Sequence, residues 1–142
     1  MRNRIILAAL LTAAGLAPAF AGVSVTDAWI RALPASSPSG GYFTLHNDGK
    51  NTETLVSADS PACGMLMLHL SENKGGMSAM REVTGVDVAP GATLRFEPGS
   101  YHLMCMGAKP AIRPGAEVPV TLTFKSGEKQ TVNFAVRDAA GK

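Results

Sequence analysis

Short segments in which apolar and polar residues alternate recur along the chain, and turn residues separate them at intervals of about ten residues. Residues 65–70 and 101–106 show the strictest alternation. No segment has the apolar periodicity of a helix. The pattern predicts about nine short strands, and their spacing favours an all-β fold, an antiparallel sandwich with Greek-key connections in a single domain.

Glycine and proline set the expected boundaries of these strands. They predict a loop over residues 33–41 and a flexible, glycine-broken loop over residues 73–80. The predicted strands cover residues 23–30, 42–46, 54–58, 65–70, 81–83, 93–96, 101–106, 118–124 and 131–136.

The two strictly alternating strands divide their side chains between two faces in the same way. Side chains two residues apart share a face of a strand. One face carries Leu66, Leu68 and Leu70 on the first strand and Leu103 and Cys105 on the second. We place this face inward, since leucine is a routine core residue and a buried histidine would need a partner. The other face carries Met65, Met67 and His69, and then His102, Met104 and Met106.

The chemistry of the second face favours a soft metal ion. Imidazole and thioether groups suit a soft, polarisable cation better than calcium, magnesium or a phosphate, and copper(I) is the first candidate. Thioethers cannot form disulfides and have no proton to lose, so they remain ligands where thiolates oxidise. All six methionines after residue 21 lie between Met65 and Met106. The alternative is that these methionines are adaptable core filler.

The first 21 residues have the composition of a secretory signal peptide. A charged start with Arg2 and Arg4 is followed by an apolar run over residues 5–16 and by Ala19-Phe20-Ala21. We expect export, cleavage after Ala21 and a mature domain of residues 22–142. The apolar run is too short to span a bilayer, so we expect no membrane insertion.

Net charge and motifs exclude several classes of function. Loss of Arg2 and Arg4 reduces the 13 basic residues to 11, which equals the number of acidic residues. No basic run remains that could follow a phosphate backbone, so we expect no nucleic-acid partner. The sequence has no Gly-x-Ser-x-Gly elbow, no HExxH motif and no phosphate-binding loop, and we expect no enzymatic activity.

The chain contains two cysteines, Cys63 and Cys105. In an exported domain a disulfide between them is the default expectation. Cys105 should face away from Met104 and towards the core. Strict alternation would place Cys63 with Met65, but Gly64 can break this register.

Four residues follow the spacing His-x10-Met-x21-His-x-Met, namely His69, Met80, His102 and Met104. This spacing resembles the signature of the periplasmic copper chaperones known as the PCu(A)C family. Other segments are similar to that family as well: residues 27–31, 41–45, 80–83, 98–104 and 122–124.

The resemblance implies a cupredoxin-like sandwich that holds one copper(I) at a shallow, partly exposed site. His69, Met80, His102 and Met104 are the implied ligands. The implied function is delivery of copper(I) in the periplasm to the assembling copper subunit of a respiratory haem-copper oxidase, alongside a thioredoxin-like copper assembly protein. Some members carry a His/Met-rich C-terminal extension, and the present sequence shows none, which leaves a copper(II) site in doubt.

Met77 and His46 lie outside the four-residue motif. Met77 stands three residues before Met80 in a glycine-rich segment and is an additional candidate ligand, with a solvent-facing or packing role as the alternative. His46 matches no ligand position, and we expect it to be structural or exposed.

Two other classes of function remain open from the sequence. A blue-copper electron carrier shares the sandwich and uses two histidines, a cysteine and a methionine. However, no histidine closely follows Cys105, and strand alternation turns its sulfur away from His102. A structural sandwich without a metal, in which the methionines are incidental, is the other alternative.

Overall fold

The computed structural model describes residues 22–142, and the predicted signal peptide at residues 1–21 lies outside this part. The described residues form ten strands: β1 (Val23–Arg31), β2 (Ser39–Asn47), β3 (Glu53–Asp59), β4 (Cys63–Lys74), β5 (Met77–Glu82), β6 (Val86–Val88), β7 (Thr93–Phe96), β8 (Tyr101–Ala108), β9 (Glu117–Phe124) and β10 (Lys129–Arg137). Between residues 22 and 142 there is no helix with the length and apolar character needed to span a membrane.

The strands hydrogen-bond in the order β5-β4-β8-β2-β1-β10-β9-β3-β6, and β7 pairs with β2. This architecture confirms the predicted all-β, single-domain fold. One pair differs from the antiparallel expectation, because Trp29–Arg31 of β1 runs parallel to Ala135–Arg137 of β10. A shift in register between Thr26 and Trp29 in the pairing of β1 with β2 precedes this contact, and Asp27 adopts a φ of 53° there.

Aromatic and branched aliphatic side chains fill the core. Phe43 stacks on Phe96 with ring centroids 4.2 Å apart and meets Phe134 edge-on at 5.6 Å. Leu68 of β4 and Leu103 of β8 are only 3% and 1% exposed. The prediction that the leucine face of these two strands points inward is therefore confirmed for Leu68 and Leu103.

The predicted loop over residues 33–41 is wrong at its C-terminal end, because Ser39, Gly40 and Gly41 belong to β2. These residues pair with Cys105, Met104 and Leu103 of β8. A β-carbon on Gly41 would lie 3.1 Å from Cβ of Leu103, so the glycine permits a close approach that composition alone interprets as loop. The pairing makes β8 an internal strand with neighbours on both sides.

The predicted flexible loop over residues 73–80 is also wrong. Strand β4 continues to Lys74, and β5 begins at Met77. Gly75 and Gly76 have φ values of 59° and 82°, which is the backbone of a tight two-residue hairpin turn that favours glycine. Met80 therefore lies on a strand, and its facing direction is fixed by register.

Two smaller differences concern strand number and length. The short strand β6, with Val86 and Val88 buried around exposed Asp87, was not predicted because three residues carry too little alternation to be recognised. Of the strand predicted at residues 81–83, Arg81 and Glu82 form the end of β5 instead, and Val83 lies just beyond it.

Cys63 and Cys105 form a disulfide, as predicted, and both are buried. Cys105 packs on the core side of β8, whereas Met106 beside it is exposed. Cys63 is buried although Met65, two residues later, is 58% exposed, so the alternation breaks at Gly64. The bond links β4 and β8 on the side opposite the methionines.

Candidate metal centre

Three neighbouring strands, β5, β4 and β8, carry two of the three histidines and all six methionines of residues 22–142. His69 of β4 lies directly opposite His102 of β8 in the antiparallel register. Their ring centroids are 5.8 Å apart, with the ring planes inclined by 60°. Two imidazoles at this separation can reach one ion between them, so two residues 33 positions apart in the sequence become neighbours.

His102 is held in one orientation by the backbone. Its side chain is buried, and Nδ1 lies 3.1 Å from the carbonyl oxygen of Ser100. A carbonyl oxygen can only accept, so Nδ1 must carry the proton and donate it. The lone pair of a neutral ring is then on Nε2, which is the arrangement that metal-binding histidines commonly have.

His69 has a buried nitrogen without a hydrogen-bond partner. Its Nδ1 is one of two such side-chain atoms in the described part of the chain. An unpaired buried polar atom is costly, and a metal ion would satisfy its lone pair. Burial lowers the pKa of His69, the neighbouring His102 lowers it further, and the carboxylate of Glu82 acts in the opposite direction. The neutral, metal-binding form of the ring is thus favoured.

Thioethers continue the same face on one side of the histidine pair. Met67 lies directly opposite Met104, and Met65 lies directly opposite Met106. Since facing residues share a side of the sheet, His69 and Met104 are diagonal neighbours, and such β-carbons lie about 7–8 Å apart. His69, His102 and Met104 are therefore brought together by register alone.

Met80 reaches this face from the other side of His69. It pairs with Ser71, two residues beyond His69, and is 54% exposed. In a flat sheet, Met80 and Met104 would be four residues apart along the strands and two strands apart across them, or about 16 Å between α-carbons. All four donors can meet one ion only where the β4–β5 hairpin curls over His69.

The register separates Met77 from this group. Met77 pairs with Lys74. Both residues lie on the face of the sheet opposite to the one that carries His69 and Ser71. Met77 is 75% exposed at the start of β5. The structure therefore does not bring Met77 to the face of the other candidate ligands.

One residue of the site was missed by the sequence analysis. Glu82 lies opposite His69 on the edge strand β5 and places a carboxylate beside the imidazole. A two-residue turn at Gly75 and Gly76 fixes the register of β5 against β4 and therefore places Glu82 opposite His69. The sequence interpretation missed Glu82 because it treated these glycines as a flexible loop.

Among residues 22–142 no group of three or more histidine, cysteine, aspartate or glutamate side chains is arranged to hold a metal ion. An ion bound between His69 and His102 would therefore take its further ligands from thioethers. Thioethers are poor ligands for hard cations, and the donor set fits a soft ion.

Fold and side chains together define an all-β domain with a histidine–methionine face on adjacent strands. Residues 23–136 match the LpqE-like family of lipoproteins, and the chain belongs to this family. Two relatives extend over most of the chain. Lxx21020 of Leifsonia xyli subsp. xyli, named as a lipoprotein, is 35% identical over 121 residues, which cover 84% of this chain and 72% of the relative. RP573 of Rickettsia prowazekii is 30% identical over 126 residues, covering 85% and 70%.

Solved structures of PCuAC domains share the fold, which confirms the family resemblance found in the sequence. Apo-DR1885 from Deinococcus radiodurans superposes with a TM-score of 0.65 at 28% identity, covering 97% of this chain and 94% of that one. The CuI form of DR1885 has a TM-score of 0.64 at 28% identity, covering 88% and 83%. The copper-bound PCuAC domain of PmoF2 has a TM-score of 0.69 at 17% identity, covering 82% and 93%, and this likeness concerns the fold alone.

Proposed function

We propose that this protein is an extracytoplasmic copper(I) chaperone that binds one ion through His69, Met80, His102 and Met104. The observation that carries the proposal is the pair of facing imidazoles on β4 and β8, 5.8 Å apart, with Met104 diagonal to one of them. This arrangement supplies nitrogen and sulfur donors without a thiolate. Copper(I) bound by such neutral ligands keeps its single positive charge.

The relatives support the same class of function. DR1885 shares 28% identity over most of the chain and was solved both without metal and with copper(I). The family and one relative are described as lipoproteins, which supports a location outside the cytoplasm. Within the proposal, we assign the mature domain to residues 22–142 of a periplasmic protein. The acceptor would be the copper subunit of a respiratory haem-copper oxidase, with a thioredoxin-like assembly protein as a second partner.

The strands divide the ligands into a fixed and an adjustable set. His69, His102 and Met104 lie on β4 and β8, which are joined by an extended ladder and by the disulfide. Met80 lies on β5, where every residue is exposed. We propose that the first three residues capture the ion and that Met80 completes the coordination when the hairpin curls inward. A carrier needs this combination, because it must hold the ion and later release it.

The disulfide argues against the blue-copper alternative. A blue-copper centre needs a cysteine thiolate, and both cysteines of the chain are bonded to each other. The sulfur of Cys105 is also on the core side of β8, away from His102 and Met104. Addition of copper(II) should therefore give no intense visible band.

A copper(I) titration tests the proposed ligand set. The Met80→Ala, Met104→Ala double variant should bind copper(I) at least about 10-fold more weakly than the unmodified domain, since loss of even an outer-shell partner costs 10–100-fold. Affinity is measured by competition with a chromophoric copper(I) chelator in ascorbate. Met77→Ala is the matched control, because Met77 shares the hairpin but faces the other way. Equal losses in both variants, or stoichiometric binding that the double variant leaves intact, would contradict the assignment.

The lowered pKa of His69 sets the expected pH dependence of binding. Protons compete with copper(I) for the ring only when the pH approaches the pKa, and burial moves this pKa below 6.5. The contribution of His69 to affinity should therefore persist from pH 8 to 6.5 and decline at lower pH. Competition titrations across this range, compared with His69→Ala, isolate that contribution. A decline that is already complete at pH 6.5 would be inconsistent with a lowered pKa of His69.

A further inference from the structure

The methionines beyond the proposed copper site form a regular arrangement that the four-ligand proposal does not use. Met65 faces Met106, Met67 faces Met104, and His69 faces His102 in three consecutive pairs on the same side of β4 and β8. Successive pairs are two residues apart, or about 6.7 Å along the strands. We call these three pairs the donor ladder.

Exposure is greater at the methionine end of the donor ladder than at the histidine end. Met65 and Met106 at one end are 58% and 40% exposed, whereas His102 at the other end is 5% exposed. Met67 and Met104, in the middle, are partly buried. The ladder therefore leads from exposed thioethers to an imidazole pair in which His69 is partly buried and His102 is buried.

The composition of the exposed end indicates that sulfur, rather than apolar surface, is its important property. Every large hydrophobic residue that is exposed within residues 22–142 is a methionine: Met65, Met77, Met80 and Met106. An apolar docking surface is commonly a mixture that includes aromatic side chains. Leucine would serve equally well as apolar filler, and the core side of the same strands uses it at positions 66, 68 and 103.

We infer that Met65, Met67 and Met106 form a second, weaker site for a soft monovalent cation, separate from the four-ligand site. Facing β-carbons lie about 4.5–5.5 Å apart and diagonal ones about 7–8 Å apart, so three flexible thioethers can meet one ion. Three neutral sulfur donors select copper(I) or silver(I) over hard divalent ions. Their position at the exposed end makes this site the entry to the four-ligand site.

Transfer between the two sites is a ligand exchange without redox chemistry. Copper(I) loses its bonds to Met65 and Met106 as bonds to Met104 and the imidazoles form, and its oxidation state and charge do not change. The neighbouring pairs are close enough for the ion to keep at least one sulfur ligand throughout. The second site goes beyond the proposed function, and the transfer step rests on the four-ligand site proposed there.

Stoichiometry tests the inference. The domain is titrated with silver(I), which needs no reductant, and with copper(I) in ascorbate, while methyl-13C methionine signals are followed by NMR. We expect one tight and one weaker equivalent, with the Met65 and Met106 methyl signals moving during the second. The Met65→Leu, Met106→Leu variant keeps the apolar surface but removes two sulfurs. It should weaken the second equivalent at least 10-fold and change the affinity for the first by less than 2-fold, whereas Met77→Leu should retain both.

The outcomes separate this inference from the proposed function. One equivalent in total, or a second equivalent that survives in the leucine variant, overturns the second site and leaves the first untouched. Movement of the Met65 and Met106 signals during the first equivalent also overturns it, because the two sites would then be one. Loss of the tight equivalent in His69→Ala, His102→Ala with retention of the weaker one supports two separate sites.

Discussion

Replacement of His102 by alanine should lower the affinity for copper(I) at least about 100-fold. Loss of an outer-shell partner alone costs 10–100-fold, and His102 would be a direct ligand. Its ring is buried, fixed by the carbonyl of Ser100 and placed opposite His69, so no nearby nitrogen can replace it. Competition with a copper(I) chelator measures the change, and the circular dichroism spectrum verifies that the variant is folded.

His46→Ala is the matched control for this experiment. The His46 ring is engaged elsewhere, since Nδ1 lies 2.7 Å from the hydroxyl of Thr93 and Nε2 lies 2.7 Å from a carboxylate oxygen of Asp48. Its removal should leave copper(I) affinity unchanged. An equal effect of the two substitutions, or full affinity in His102→Ala, would show that the imidazole pair is not the binding site.

Removal of the disulfide should reduce the free energy of unfolding by about 4 kcal/mol. The bond joins two cysteines with a sequence separation of 42. Closing a loop of this length lowers the conformational entropy of the unfolded chain, which stabilises the folded state by about 4 kcal/mol. Urea unfolding of the Cys63→Ala, Cys105→Ala variant measures the difference.

Reduction provides the control for this second prediction. Dithiothreitol should destabilise the unmodified domain by a similar amount and leave the double variant unaffected. A loss below about 1 kcal/mol would contradict the prediction and would mean that the unfolded chain is already restricted without the bond. The same variant reports on the site, because the disulfide joins the two strands that carry His69 and His102.

Much of the candidate site could be predicted from the sequence because alternation in a strand is a local property. Residues 65–70 and 101–106 each assign their own faces, and leucines at 68 and 103 are buried as expected. The disulfide also followed from cysteine count and export. The facing of His69 and His102 could not be derived from alternation, because register between strands that are distant in sequence depends on tertiary pairing.

The two incorrectly predicted loops contain glycines, which serve two different structural roles in this chain. Gly75 and Gly76 make a tight turn that extends a hairpin, whereas Gly41 permits close packing against Leu103. Composition alone interprets both as loop. The direction of Met80 and Met77 depends on the first of these positions, so their separation onto two faces became apparent only with the register of β5 against β4.

The position of β5 at the end of the strand order has a kinetic consequence for the proposed carrier. Strand β8 is held between β4 and β2, but β5 is bonded on one side only, and outer strands open more readily than inner ones. We expect dissociation to begin with Met80, which converts a four-coordinate ion into a three-coordinate one exposed to an incoming ligand. The residence time of the metal is then governed by how often one hairpin lifts, while its equilibrium affinity depends mainly on the inner strands.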